Sequence, residues 1–304
     1  MSDTTEQAVA APIKVETPLQ RFVSDYADNK IAVLAFFVLL GIIFIAVFAP
    51  WISPTDPYDL SKVSIFDSKL EPGTKSMDGV TFWLGTDSAG RDLLSSIFYG
   101  LRISLGVGVM SGIIALCIGS VIGLIAAFYG GKVDTLIMRI VDIQLSFPAI
   151  LVALILISVL GTGVDKVIIA LVLVQWAYYA RTVRGSALVE RNKEYIEAAT
   201  CLGLGNSRIV LRHLLPNCLP PLIVVGTVQT AHAISLEATL SFLGVGLPIT
   251  EPSLGLLIAN GFEVMLSGLY WVSFFPGIAL LITIVSINLV GDQLRDVLNP
   301  RLQK

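Results

Sequence analysis

Residues 103–131, ISLGVGVMSGIIALCIGSVIGLIAAFYGG, run from Arg102 to Lys132 without a charged side chain. A helix rises about 1.5 Å per residue, and about 20 apolar residues cross the hydrocarbon of a bilayer. In lipid, each backbone polar group must also find its partner inside the segment. The stretch is therefore predicted to span a membrane. The pattern repeats on either side. Residues 31–49, closed by Pro50, are predicted as the first span, and 103–131 as the second. Residues 143–164, between Asp142 and Asp165, form the third. Residues 167–180 are short for a fourth, but Lys166 and Arg181 at their ends can snorkel, and Trp176, Tyr178 and Tyr179 suit a boundary belt. The fifth follows Pro220-Pro221 and ends near Leu240, and the sixth covers 264–291, between Glu263 and Asp292.

Composition agrees with six spans and an all-α integral membrane fold. The 304 residues are 55% hydrophobic and 14% charged, where about 25% charged is usual for soluble domains. Mean hydropathy is +0.81. A net charge of −3 supplies no basic field for nucleic acid. Cys117, Cys201 and Cys218 are scattered and odd in number, and two histidines without an HExxH spacing build no zinc site. The GxSxG and paired-carboxylate signatures of an intramembrane hydrolase are missing too. A phosphate-cradling loop needs Gly-Lys followed by Ser or Thr; the one Gly-Lys pair, Gly131-Lys132, is followed by Val133.

The connections divide unequally. Most of the 20 Lys and Arg fall at the termini, at 132–139 and in 181–213, which places both termini in the cytoplasm. Residues 1–16 are polar and aperiodic, and are predicted to be disordered. Thr17-Pro18 opens a helix whose Leu19, Phe22, Val23 and Tyr26 form one apolar stripe, predicted to lie at the interface over 17–30. Outside, 53–102 hold a proline-rich loop followed by a separate interfacial helix carrying Leu93, Leu94, Ile97, Phe98 and Leu101 on one face. Gly108-x-x-x-Gly112 and Gly119-x-x-x-Gly123 let helices approach closely, within the chain or between two chains.

The most informative connection is 181–218. Glu190, Glu194 and Glu197 recur at i, i+4 and i+7 on one predicted helical face. Gly203 and Gly205 allow a sharp change of direction, and Ser207 can start a second short helix before Pro216, Pro220 and Pro221 mark the return to the membrane. This reads as a docking surface.

Glu197-Ala198-Ala199, then Gly203, then His213 and Leu215-Pro216 resembles the EAA loop of ABC importer permeases, with His213 at a usually aliphatic position. Leu84-Gly85-Thr86-Asp87-x-x-Gly90-Arg91-Asp92 resembles the outer-loop signature of the C-type permease of dipeptide, oligopeptide and nickel importers. Glu237-Ala238-x-Leu240-Ser241-Phe242-Leu243-Gly244-x-Gly246 and Asn288-Leu289-x-Gly291-Asp292-x-Leu294-Arg295-Asp296 resemble the same branch. Asn299 and Leu254 depart from its usual Asp and Trp.

The resemblance implies a type I ABC importer permease fold in the bacterial inner membrane. It implies a second, B-type permease, two ATPase subunits that carry ATP and Mg, and an extracytoplasmic binding protein as partners, with membrane lipid around them. No cofactor is implied in this chain. It assigns ATPase coupling to Glu194, Glu197, Ala198, Ala199, Gly203 and Gly205, and a structural or binding-protein role to Asp87, Gly90, Arg91 and Asp92. His232 and Glu237, ionisable residues inside the fifth span, are candidates for a gate, a structural hydrogen bond or the pathway. The competing class is an ion-coupled secondary transporter, which would leave the charged loop without a purpose.

Overall fold

The computed structural model describes residues 17–59, 64–76, 79–248 and 250–298. The segment 1–16 and the Asn299 departure lie outside the described residues. Helix α1 (Pro18–Ala27) starts at Thr17, as expected. Gln20 N–H donates to Thr17 Oγ1 at 3.4 Å, and Thr17 N–H donates to Gln20 Oε1 at 3.0 Å, a reciprocal cap. Phe22 and Tyr26 turn toward the fold, while Leu19 and Val23 stay exposed. Helix α2 (Lys30–Ile52) carries Pro50 inside its last turn, so the proline does not end the span where it was expected to.

A two-residue hairpin, β1 (Thr74–Lys75) with β2 (Thr81–Phe82), interrupts the outer loop. Helix α3 (Leu93–Tyr129) then runs 37 residues without a break. The separate interfacial helix predicted before the second span is thus its first turns. Leu93, Ile97 and Leu101 do bury one face. A charged Arg102 interrupts hydropathy but costs the backbone hydrogen-bond ladder nothing.

The third span is not straight. Helices α4 (Gly131–Ser146) and α5 (Ala149–Leu160) meet at 92°. Phe147, at φ −93° and ψ 141°, is extended because the ring of Pro148 disfavours helical geometry in the residue before it. The fourth span is not short: α6 (Val164–Arg191) has 28 residues. Its charged part is held by α4, with Arg181 bound to Asp142 at 2.5 Å and Arg184 bound to Asp134. Helices α7 (Glu194–Cys201) and α8 (Asn206–Ile209) follow, then a π turn over Val210–Leu214, and α9 (Leu215–Phe242). Helix α10 (Leu254–Met265), which hydropathy had not separated, precedes α11 (Trp271–Leu298). Helices α2, α3, α6, α9 with its lead-in, and α11 are long and apolar enough to cross a membrane; the α4–α5 pair, taken as one span, makes six.

Helix α3 is the axis of the bundle. A Cβ at Gly119 would stand 2.5 Å from the Trp176 carbonyl oxygen, and one at Gly123 would stand 2.4 Å from that of Ala180, both on α6. At Gly108 it would meet Ile234 Cγ1 of α9 at 2.5 Å. The small-residue stripe therefore serves packing within the chain. The α1–α2 corner is tied to α11, where Asn29 Nδ2 donates to Gln293 Oε1 at 2.9 Å and Gln293 Nε2 donates to the Asp25 carbonyl at 3.2 Å.

Candidate functional site

The three glutamates of the 181–218 connection do not share a helix. Helix α6 ends at Arg191, and Lys193 is extended, so the predicted i, i+4, i+7 stripe breaks between Glu190 and Glu194. Glu190 turns inward, accepting from Lys193 Nζ at 2.6 Å and Tyr195 Oη at 2.7 Å. Glu194 and Glu197 remain exposed on α7. That helix is amphipathic over two turns. Ile196 and Ala199 are buried against Val183 and Ala187 of α6 and Leu214 and Cys218 near the start of α9. Glu194, Glu197 and Ala198 face out.

Gly203 closes α7. At φ +73° it occupies the left-handed region that glycine enters without steric cost. Its N–H donates to the Thr200 carbonyl at 2.9 Å, and Leu204 N–H donates to that of Ala199 at 3.2 Å. These are the two bonds of a Schellman cap. Gly205, at φ −62°, has a conformation open to other residues. It caps α8, which begins at Asn206, one residue before the predicted Ser207.

Sequence reasoning missed the tyrosine on this helix. Tyr195 Oη also accepts from Asn217 Nδ2 of α9 at 3.1 Å, and the same amide donates to the His213 carbonyl at 2.7 Å. Burial, and then the hydrogen bond to Glu190, push the Tyr195 hydroxyl up to about 12, so it keeps its proton and donates to Glu190. No motif announces such a bridge, because its three members come from three elements.

On the other side, the outer-loop signature closes on itself. Arg91 Nε donates to Asp87 Oδ2 at 2.7 Å, with the side chains 4% and 1% exposed. Asp87 Oδ1 accepts from the N–H groups of Ala89 and Arg91, each at 2.9 Å, and Gly90 makes the turn at φ +86°. Asp92 caps α3, accepting from Ser95 N–H at 2.9 Å and Ser95 Oγ at 2.5 Å. Burial holds its carboxyl above the ordinary range, against the opposing pull of the Ser95 bonds. Thr55 N–H in turn donates to Ser95 Oγ at 3.1 Å, joining the outer end of α2 to α3.

Inside the bundle, Glu237 is fully buried and accepts from Ser104 Oγ of α3 and Ser241 Oγ of α9, both at 2.8 Å. Among the described residues no cation pairs with it. His232 is not brought to it. Five residues at 3.6 per turn place the two side chains about 140° apart, and His232 is exposed with Ser235 and Thr239 on the same face. That face ends at Phe242, whose ring packs edge-on against Phe262 of α10 with centroids 5.8 Å apart. Ser104 had no sequence signal beyond being a hydroxyl in an apolar run.

A bundle of bent, membrane-length helices with a buried, hydrogen-bonded carboxylate and a short amphipathic helix bearing exposed carboxylates is the architecture of a multi-pass membrane transport component. The chain belongs to the family described as binding-protein-dependent transport system inner membrane component, which matches residues 119–304, and residues 17–72 match the N-terminal transmembrane domain of oligopeptide transport permease C. It is similar to the dipeptide transport system permease protein DppC of Escherichia coli (strain K12), 39% identical over 306 residues and 100% of both chains. It is also similar to the di/tripeptide transport system permease protein DppC of Pseudomonas aeruginosa (strain UCBPP-PA14), 38% identical over 94% of this chain and 93% of that one. The fold is shared with the inward-facing MetNI methionine ABC transporter, at a TM-score of 0.56 and 23% identity, covering 68% of this chain and 98% of that one. The protein is thus a permease subunit of an ABC importer, and not an ATPase.

Proposed function

We propose that this chain is the C-type permease of a peptide importer, forming half of a translocation pathway with a B-type permease. Di- and oligopeptides are the proposed cargo, because the relatives are named for di- and tripeptides and the matched N-terminal domain for oligopeptides. A binding protein would deliver the cargo outside, and two ATPase subunits would dock inside. In this reading both termini are cytoplasmic, which suits the basic residues Arg181, Arg184, Arg191, Lys193, Arg208 and Arg212 around the docking segment. Helix α1 lies on the inner leaflet, with exposed Leu19 and Val23 toward lipid.

The observation that carries the reading is α7. One face is fixed to the bundle by Ile196 and Ala199, the other presents Glu194, Glu197 and Ala198, and the Gly203 cap ends the helix sharply. ATP and Mg on the partner subunits supply the free energy. This chain receives it as a displacement of α7, which α6 and α9 carry into the membrane. The displacement does work only if the nucleotide-bound partners bind one permease conformation more tightly than the other. In this reading Glu237 acts as a latch holding α9 to α3, supported by its hydrogen bond from Ser104, and His232 as a pathway residue, since an imidazole facing hydrocarbon is costly.

The test replaces Glu197 with Arg in the complete importer reconstituted with its binding protein. Uptake of labelled alanyl-alanine should fall by at least about tenfold, equivalent to about 1.4 kcal/mol of lost docking, while the subunit still inserts. Wild-type uptake would overturn the docking role.

A further inference from the structure

We infer that Tyr195 is a positioning residue that makes the docking helix and the cytoplasmic start of α9 move as one body. The inference rests on the docking role proposed for α7 and adds the route by which displacement leaves it. Helix α7 is eight residues long and is flanked by chain breaks at Lys193 and at Gly203. Its buried side is only Ile196 and Ala199. Apolar packing of two small contacts is non-directional and resists sliding poorly. Directional contact is supplied by the Tyr195 hydroxyl, which stands between Glu190 at the end of α6 and Asn217 in the first turn of α9. Both bonds lock: Glu190 is itself held by Lys193, and Asn217 is held by the His213 carbonyl.

The anchor on α9 falls beside a soft point. Leu215 N–H reaches back to the Val210 carbonyl, five residues away, in the π turn over Val210–Leu214. Such turns are rare and concentrate at functional sites. Without a brace, a push on α7 would be absorbed there. With it, the push arrives at Asn217, beyond the π turn, on the helix that carries His232 and Glu237. The hydroxyl suits the task because it is both donor and acceptor, and it remains protonated at working pH.

The experiment measures spin-label distances in the complete importer in nanodiscs, between the native, exposed Cys201 on α7 and a cysteine replacing exposed Leu219 on α9. Cys117 is replaced by Ser, and Cys218 is buried from the label. One narrow distance is expected in both the nucleotide-free and the vanadate-trapped states. In Tyr195→Phe the nucleotide-free distance should stay narrow, because packing suffices without load, and the trapped distribution should widen about twofold or more, since one hydrogen bond is worth about a three- to tenfold change in population. Asn217→Ala, which leaves the tyrosine in place, should do the same, and the double variant should be no worse than either. A trapped distance as narrow as wild type in both variants would overturn the brace. So would equal widening with and without nucleotide, the mark of a merely structural contact, or a wild-type distance that itself shifts on trapping. If Glu197→Arg imports normally, the docking reading fails and the brace with it; if Glu197→Arg stops uptake while both variants keep the narrow trapped distance, the brace alone fails.

Discussion

The loop before α3 and the segment between α6 and α9 use the same residue types to opposite ends. In the first, Asp87, Arg91 and Asp92 are all buried, and they pair with each other or with the α3 terminus. In the second, Glu194 and Glu197 stand on an exposed face. A motif match does not distinguish these cases. What distinguishes them is whether the fold itself supplies the partner: a buried charge whose partner is internal serves folding, and an exposed one on a fixed, amphipathic helix is available to another molecule.

That contrast breaks first, and most severely, at Arg91→Ala. The substitution leaves Asp87 buried and unpaired and should cost about 3–5 kcal/mol, read as a collapse of the melting temperature in detergent; a loss under about 1 kcal/mol would mean that Asp87 has water access. Gly203→Ala should cost about 1–2 kcal/mol, from left-handed backbone alone, because nothing stands within 4 Å of the missing Cβ. Gly205→Ala, at an ordinary φ, should cost less, under about 1 kcal/mol from the poorer N-cap alone. Equal effects at the two glycines would remove the cap from the account.

Asp92→Ala should cost about 1 kcal/mol as a lost N-cap, and Asp92→Asn less. The pH dependence has a definite sign. Burial raises the folded carboxyl above its ordinary 3.8, so its protonated form favours the fold. That contribution is complete below the ordinary value and is lost as pH rises through the raised one. The melting temperature of the wild type relative to Asp92→Asn should therefore increase as pH falls from about 7 toward about 4. The smallest stability effect belongs to α7: Glu197→Ala should shift folding by no more than about 0.5 kcal/mol, while uptake should drop if α7 docks as proposed. A large loss of stability there would make Glu197 a structural residue like Asp87.

Apolar runs located the long helices, except that the fifth does not follow Pro220-Pro221 but contains both prolines within α9; Thr17-Pro18 and the 181–218 segment were legible for local reasons, a capping residue and a density of charge. Errors arose where local and global rules diverge. Arg102 looked like a boundary, yet α3 passes through it because a helix ladder is blind to side-chain charge. The uncharged stretch 143–164 carried no mark of a bend, yet the chain turns by 92° at Phe147-Pro148. Hydropathy hid α10 because Glu263 is exposed near its end and its buried side, Leu254, Leu256 and Leu257, reads as ordinary apolar sequence.

By itself, the sequence determined that this chain crosses a membrane several times, carries no phosphate-binding loop of its own, and bears a charged helix–turn–helix between its fourth and fifth spans, because hydropathy, glycine spacing and capping are properties of neighbours along the chain. Only the tertiary structure decided that the glycine stripe packs inward, that Glu237 finds Ser104 while His232 turns away, and that Tyr195 joins α6 to α9. Those facts depend on which helices lie side by side, and a hydrogen bond between residues 133 positions apart leaves no mark on either one's neighbours.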